Sequence, residues 1–254
     1  MKYDQFETLL DEDLAWRKVE ISELLLLAKE SEKETIFKSL ILLLYAHWEG
    51  YIKKSSKLYI KFISEEKIKL NDLSFNFKAV ALKEHVSRCI ETKDKLTLAN
   101  EIAFVSSFLK LENKKFKIDV KPENDFDSTI IDTESNLKPK VFKNIIEILG
   151  LNYKKALEAR EHYINSHLLA NRNAIGHGSK FDDSIQLDFS LTLKDIEKLK
   201  AIIFSIIDAF REELLEYVYN KYYLVSNSDK RSEFELKREE EFEKIIASIE
   251  DSFK

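Results

Sequence analysis

With only four glycines and two prolines in 254 residues, the chain has few places where a helix must stop. Long uninterrupted helices are the expectation. A single cysteine, Cys89, excludes an intrachain disulfide framework and agrees with a reducing compartment. Apolar runs are short, such as 24–28 and 41–46, and a helix needs about 20 apolar residues to cross a bilayer. Acids at Asp4, Glu7, Asp11, Glu12 and Asp13 precede any apolar block, unlike the basic start of a secretory leader, so a cytoplasmic protein without a membrane segment is expected.

What is present is charge and apolar patterning. Charged residues make up 34% and apolar residues 44%, the balance of a soluble helical protein rather than a disordered one. The net charge of −5 taken alone argues against a nucleic-acid binder, but the charge is unevenly distributed. Residues 232–254 hold eight acids and four bases, whereas 51–95 hold eleven bases and six acids. The body carries a section able to follow a phosphate backbone, and the tail does not.

Apolar positions at three- and four-residue steps predict a first helix over 6–29 and a very long second one over 31–63, whose stripe runs from Phe37 through Leu44, Trp48 and Ile52 to Phe62. Shorter helices follow over 75–92 and 97–111. Periodicity fails between about 112 and 137, which reads as an insertion. There Phe116, Ile118 and Val120 alternate with polar residues, and Ile185, Leu187, Phe189 and Leu191 do the same further on, so the two can form a small two-stranded extended piece. Pro139 opens a helix that Gly150 stops. Another helix covers 153–172. Thr192 with Asp195 has the form of a capping box for a last long helix to about 223. Ser226 to Ser232 is a break, and 233–251 is a charged amphipathic helix. The domain reading is a helical body over 1–225 and a separable acidic helix or tail over 226–254.

Two of the four glycines, Gly176 and Gly178, flank His177, five residues after Arg172. Arg172 offers a planar charged fork that suits phosphate, and His177 can exchange a proton near neutral pH. On one unbroken helix five residues advance about 500°, so Arg172 and His177 diverge by roughly 140° while Asn173 and His177 share a face. A site using all three needs the helix to deform near Gly176, or a second copy of the motif.

Arg172-Asn173 followed by His177 and Gly178 resembles the signature of HEPN-domain ribonucleases, and the stretch 31–61, with Tyr45-Ala46-His47-Trp48-Glu49-Gly50-Tyr51, resembles the second helix of the MAE-type HEPN-like nucleases. The resemblance covers roughly 1–225 and implies an all-α HEPN-like helical bundle. It also implies a homodimer with two motifs lining one cleft. The implied activity is metal-independent endonuclease cleavage of RNA (tRNA or mRNA), in which the ribose 2′-OH attacks the phosphorus. His177 would be general acid or base, Arg172 would stabilise the transition state, and Asn173 would orient. No metal or cofactor is implied. Relatives of this type act as effectors or toxins of prokaryotic defence and toxin–antitoxin systems, so an antitoxin or defence partner protein is a further expectation. Two other readings stay open: a non-catalytic HEPN module binding a nucleotide or protein, and a structural helical dimer whose motif only terminates a helix.

Other residues divide between function and packing. Lys53, Lys54, Lys57 and Lys61, with Tyr51 and Tyr59 between them, form either an aromatic-studded RNA face or a solvated lysine face. His85 and Cys89, four apart, lack the second pair that a zinc site needs, which leaves packing. His162 and His167 precede the motif and read mainly as helix-surface residues. Trp48 reads as core, and Glu49 as a support that can pair with an arginine, Arg172 among the candidates.

Overall fold

In the computed structural model, which describes residues 1–31, 33–91, 98–124, 127–178 and 191–254, the chain is an all-α bundle organised around its second helix. Helix α1 spans Tyr3–Ser31 and α2 Glu34–Glu66. The α2 stripe expected from Phe37 to Phe62 is buried, with Trp48, Tyr51, Ile52, Tyr59 and Ile60 at 0% exposure. One helix buries so many sides because four others surround it: α1, α5 (Pro139–Leu149), α7 (Ala170–Gly176) and α8 (Leu193–Tyr219) all pack on it. Trp48 meets Phe142 of α5 edge-on at 4.9 Å, and Phe142 meets Phe210 of α8 at 5.8 Å, which ties three helices through aromatic contacts.

Local start and stop signals act as the sequence implies. Pro139 sits in the first turn of α5. Gly150 ends that helix at φ 76°, with its N–H donating to Glu147 O at 3.1 Å and the Leu151 N–H reaching back to Ile146 O at 3.0 Å. Thr192 caps α8, its hydroxyl accepting from the Asp195 N–H at 3.2 Å and donating to the Asp195 carboxylate at 2.7 Å.

Three further features complete the fold. First, no strand forms among the described residues. The segment 114–120 is extended but lies along the end of α2: the Phe116 N–H donates to Ile68 O and the Leu70 N–H to Lys114 O, each at 2.8 Å, and Ser64 Oγ exchanges hydrogen bonds with Ile118. The expected partner, 185–190, lies outside the described residues. With Phe116, Val120, Ile131 and Leu137 buried, the region read as an insertion supplies part of the core.

Second, helix α3 (Phe75–Glu91) carries α4 (Ala99–Leu109), but Ile102, Val105 and Phe108 of α4 face outward. Third, the acidic helix α9 (Ser228–Ser252) is docked, with Phe242 and Ile246 buried against the body. Among the described residues no helix is long and apolar enough to cross a membrane.

Candidate functional site

The motif is carried on a single helical rod. Helix α6 (Lys155–Tyr163) passes into a π-helical segment, Ile164–Leu169, and then into α7. Side chains take up carbonyls along this stretch: Ser166 Oγ donates to His162 O at 2.8 Å and Asn171 Nδ2 to His167 O at 2.7 Å. A π segment inserts one residue into the helical repeat and rotates everything after it, and such segments are frequent beside functional sites. It therefore decides which side of α7 meets α2.

The Arg172 guanidinium faces α2. It lies over the Tyr45 ring, 4.5 Å from the centroid, while Nη1 donates to Asn173 Oδ1 at 2.9 Å and Nη2 approaches Ser135 O at 3.4 Å. Tyr45 is itself buried. Its hydroxyl accepts the Leu137 N–H at 2.8 Å, and burial, followed by the charge of Glu49, holds the phenol well above its ordinary pKa. The candidate Glu49–Arg172 ion pair does not form among the described residues, and Arg172 stacks on Tyr45 instead.

His177 is exposed at the end of α7, at φ −88° and ψ 4°, with its N–H donating to Asn173 O at 2.9 Å. Gly178 follows at φ 73°, a left-handed conformation that glycine adopts without strain, and its N–H closes the turn on Ile175 O at 3.0 Å. Gly176 is inside the helix, and a Cβ there would meet nothing within 4 Å. The helix thus runs undeformed through Gly176. Asn173 and His177 fall on one face, Arg172 turns to another, and no described side-chain contact joins Arg172 to His177.

Arg172 differs from every other arginine in the chain. The remaining six sit against carboxylates: Arg17 on Asp13, Arg88 on Glu84, Arg160 on Glu243 and Glu250, Arg211 on Asp11, Arg231 on Glu235 and Arg238 on Glu212. Among the described residues Arg172 has no carboxylate partner, and half-buried beside a ring it keeps a charge able to take an anion.

The lysines of α2 do not form the aromatic-studded face. Tyr51 and Tyr59 are wholly in the core, Lys57 is buried with Nζ donating to Asn124 O at 2.8 Å, and Lys54 pairs with Asp13 at 3.2 Å and Glu123 at 3.6 Å. Lys53 and Lys61 are half-buried. His162 is exposed, and His167 is buried and stacked on Tyr163 at 4.2 Å. His85 and Cys89 gain no further ligands: among the described residues no group of three or more His, Cys, Asp or Glu side chains is placed to hold a metal.

Sequence reasoning missed the 133–137 loop. Glu134 and Ser135 are consecutive non-glycine residues at φ 54°, a left-handed arrangement that costs energy and collects near functional sites. The loop touches both Arg172, through Ser135 O, and Tyr45, through the Leu137 N–H. No pattern in the sequence signals it, because its partners lie on α2 and α7.

A family model described as HEPN_MAE_28990/-like HEPN matches residues 6–223. No curated protein and no solved structure matches the chain.

Proposed function

The chain belongs to the HEPN_MAE_28990/-like HEPN family, and from that premise we propose that it is a metal-independent RNA endonuclease. The observation that carries the reading is the state of Arg172. An arginine with no carboxylate partner among the described residues, braced by an aromatic ring and five residues before an exposed histidine, suits a phosphate that is charged in the ground state and more so in the transition state. Arg172 binds the scissile phosphate, and His177 removes the 2′-OH proton or protonates the leaving 5′-oxygen. Asn173, which already accepts from Arg172, orients the phosphate or its neighbour. The nucleophile is the substrate's own 2′-OH, held beside the phosphorus, and no step passes through a metal.

Because Arg172 and His177 leave one straight helix in different directions, the complete site is built from two copies of the chain, in a homodimer. The setting we propose is that of a cytoplasmic effector or toxin of a prokaryotic defence or toxin–antitoxin system, restrained by a partner protein. That setting rests on the family alone.

Incubation of the purified protein with total RNA and tRNA in excess EDTA tests the reaction. The expected products end in a 2′,3′-cyclic phosphate and a 5′-OH, a single 2′-deoxy substitution at the cut site blocks cleavage, and DNA is inert. A strict magnesium requirement, or cleavage of the deoxy-substituted strand, would overturn the mechanism. Tight RNA or nucleotide binding without turnover would instead identify a non-catalytic HEPN module.

A further inference from the structure

Tyr45 holds Arg172 without using up what Arg172 has to offer. A guanidinium presents its five N–H donors along its edge, and a carboxylate partner would occupy two of them and cancel the charge. An aromatic ring takes the face instead and leaves the charge uncancelled; Nη1 and Nη2 each spend one N–H on a neutral acceptor, Asn173 Oδ1 and Ser135 O, and the other donors remain for an anion. The ring is in turn fixed by packing and by a hydrogen bond: it is 3% exposed, and its hydroxyl accepts the Leu137 N–H at 2.8 Å. Leu137 is anchored separately, its carbonyl accepting from Trp48 Nε1 at 3.2 Å.

We infer that Tyr45 is a positioning residue for Arg172, which sets the plane of the guanidinium so that its remaining N–H groups meet the phosphate oxygens of the RNA. The inference rests on the ribonuclease reading for its catalytic consequence. The ring-on-guanidinium geometry does not depend on it. Rotamer freedom is the quantity at stake. Loose, a long arginine side chain samples many orientations and presents its fork to the phosphate only part of the time; stacked, it is ordered before substrate arrives.

The test compares wild type with Tyr45→Phe and Tyr45→Leu, each alone and combined with Arg172→Lys, all well below their melting temperatures. Readouts are single-turnover cleavage of an RNA oligonucleotide and the side-chain NMR signals of Arg172. In wild type and Tyr45→Phe the Arg172 signals are expected to be displaced upfield by the ring, and cleavage by Tyr45→Phe stays within a few-fold of wild type. In Tyr45→Leu the displacement vanishes and the cleavage rate falls about 10-fold or more, with little change in the concentration of RNA needed for half-saturation. In the Arg172→Lys background the same Leu substitution has little further effect, because the residue it acts through is gone. Equal losses in both backgrounds, a Phe variant no better than Leu, or unshifted Arg172 signals in wild type would each overturn the assignment. A wild-type protein with shifted Arg172 signals that cleaves no RNA leaves the positioning role standing and removes the nuclease reading.

Discussion

Arg160 on the motif-bearing rod is gripped by Glu250 on α9, with Nε and Nη2 donating to the two carboxylate oxygens at 3.1 and 2.9 Å. Glu243 takes the other side of the same guanidinium at 2.7 and 2.9 Å. One turn earlier Glu239 accepts from the Lys155 and Ala156 N–H groups, each at 3.1 Å, and so caps α6, whose own flanking residue Lys154 provides no side-chain cap. The family match ends at 223, so the helix that performs all three tasks lies beyond it.

Truncation after Asn227 is accordingly expected to destabilise the body rather than free it from a passenger. The apolar contacts decide the size of the effect. Losing the packing of Phe242 and Ile246 costs roughly 3–5 kcal/mol or more by analogy with large-to-small core substitutions, whereas the partly exposed Arg160 ion pairs are worth about 1 kcal/mol or less. Urea unfolding of the truncated chain and of Arg160→Ala measures both. A truncated protein as stable as the full chain would show that α9 does not hold the fold.

The glycines allow opposite predictions from one substitution. At Gly150, φ is 76° and an added Cβ would sit 2.7 Å from Asn76 Oδ1, so Gly150→Ala is expected to cost about 1–3 kcal/mol. At Gly176 the backbone is helical and the space is open, so Gly176→Ala is expected to stabilise by about 0.5–1 kcal/mol. Cleavage by Gly176→Ala should be unchanged. If thermal melting rises but activity disappears, the helix must deform at Gly176 during catalysis, and the straight rod is not the working state.

Local physics was legible in the sequence and long-range pairing was not. The α2 stripe, Pro139, Gly150 and the Thr192 cap act through residues within a turn of one another, and each could be read in place. Lys57 looked like one lysine of a solvated row, yet its ammonium is bound by a carbonyl 67 residues away. The acidic composition of 233–251 suggested a separable helix or tail, but Glu239, Glu243 and Glu250 are the acids that α6 requires, and only the fold brings the two helices together. Within the site, the motif residues stood out by type and spacing. Tyr45 did not, since its importance comes from which arginine lies on it.

Acid should weaken the fold through His47. This side chain is 2% exposed, with Nδ1 3.4 Å from Arg17 Nη1, and Nε2 lies 3.2 Å from a Glu20 carboxylate oxygen without a well-formed hydrogen bond. Burial, then the Arg17 charge, pushes its pKa down to about 4, with Asp13 opposing. The unfolded chain takes up the proton near pH 6.5 and the folded chain only near 4, so the contribution to stability is complete above 6.5 and is lost as pH falls through that window. From a difference of about 2.5 units the loss is at most about 3 kcal/mol. His47→Gln, which keeps a hydrogen-bonding side chain without a titrating group, should flatten the dependence of urea stability on pH between 6.5 and 4. An unchanged slope would assign the acid sensitivity to other groups.

The last prediction follows from the angle between Arg172 and His177. Arg172 turns toward Tyr45 of its own chain, while His177 is exposed at the end of a helix that does not bend at Gly176. If each working site takes the arginine of one copy and the histidine of the other, Arg172→Ala and His177→Ala are each inactive as pure proteins, but a mixed dimer contains one intact site and one doubly impaired site. Random exchange of subunits makes about half of the dimers mixed, so unfolding the two variants together and refolding them should recover roughly a quarter of wild-type cleavage. Both variants should retain the wild-type helical signal, since neither side chain belongs to the core. Two other results are informative in different ways. No recovery, with mixed dimers demonstrated by mass, would mean that each site needs both residues from one chain or all four from two. A cleavage-competent monomer at assay concentration would mean that Arg172 and His177 converge within one copy, which requires α7 to rearrange when RNA binds.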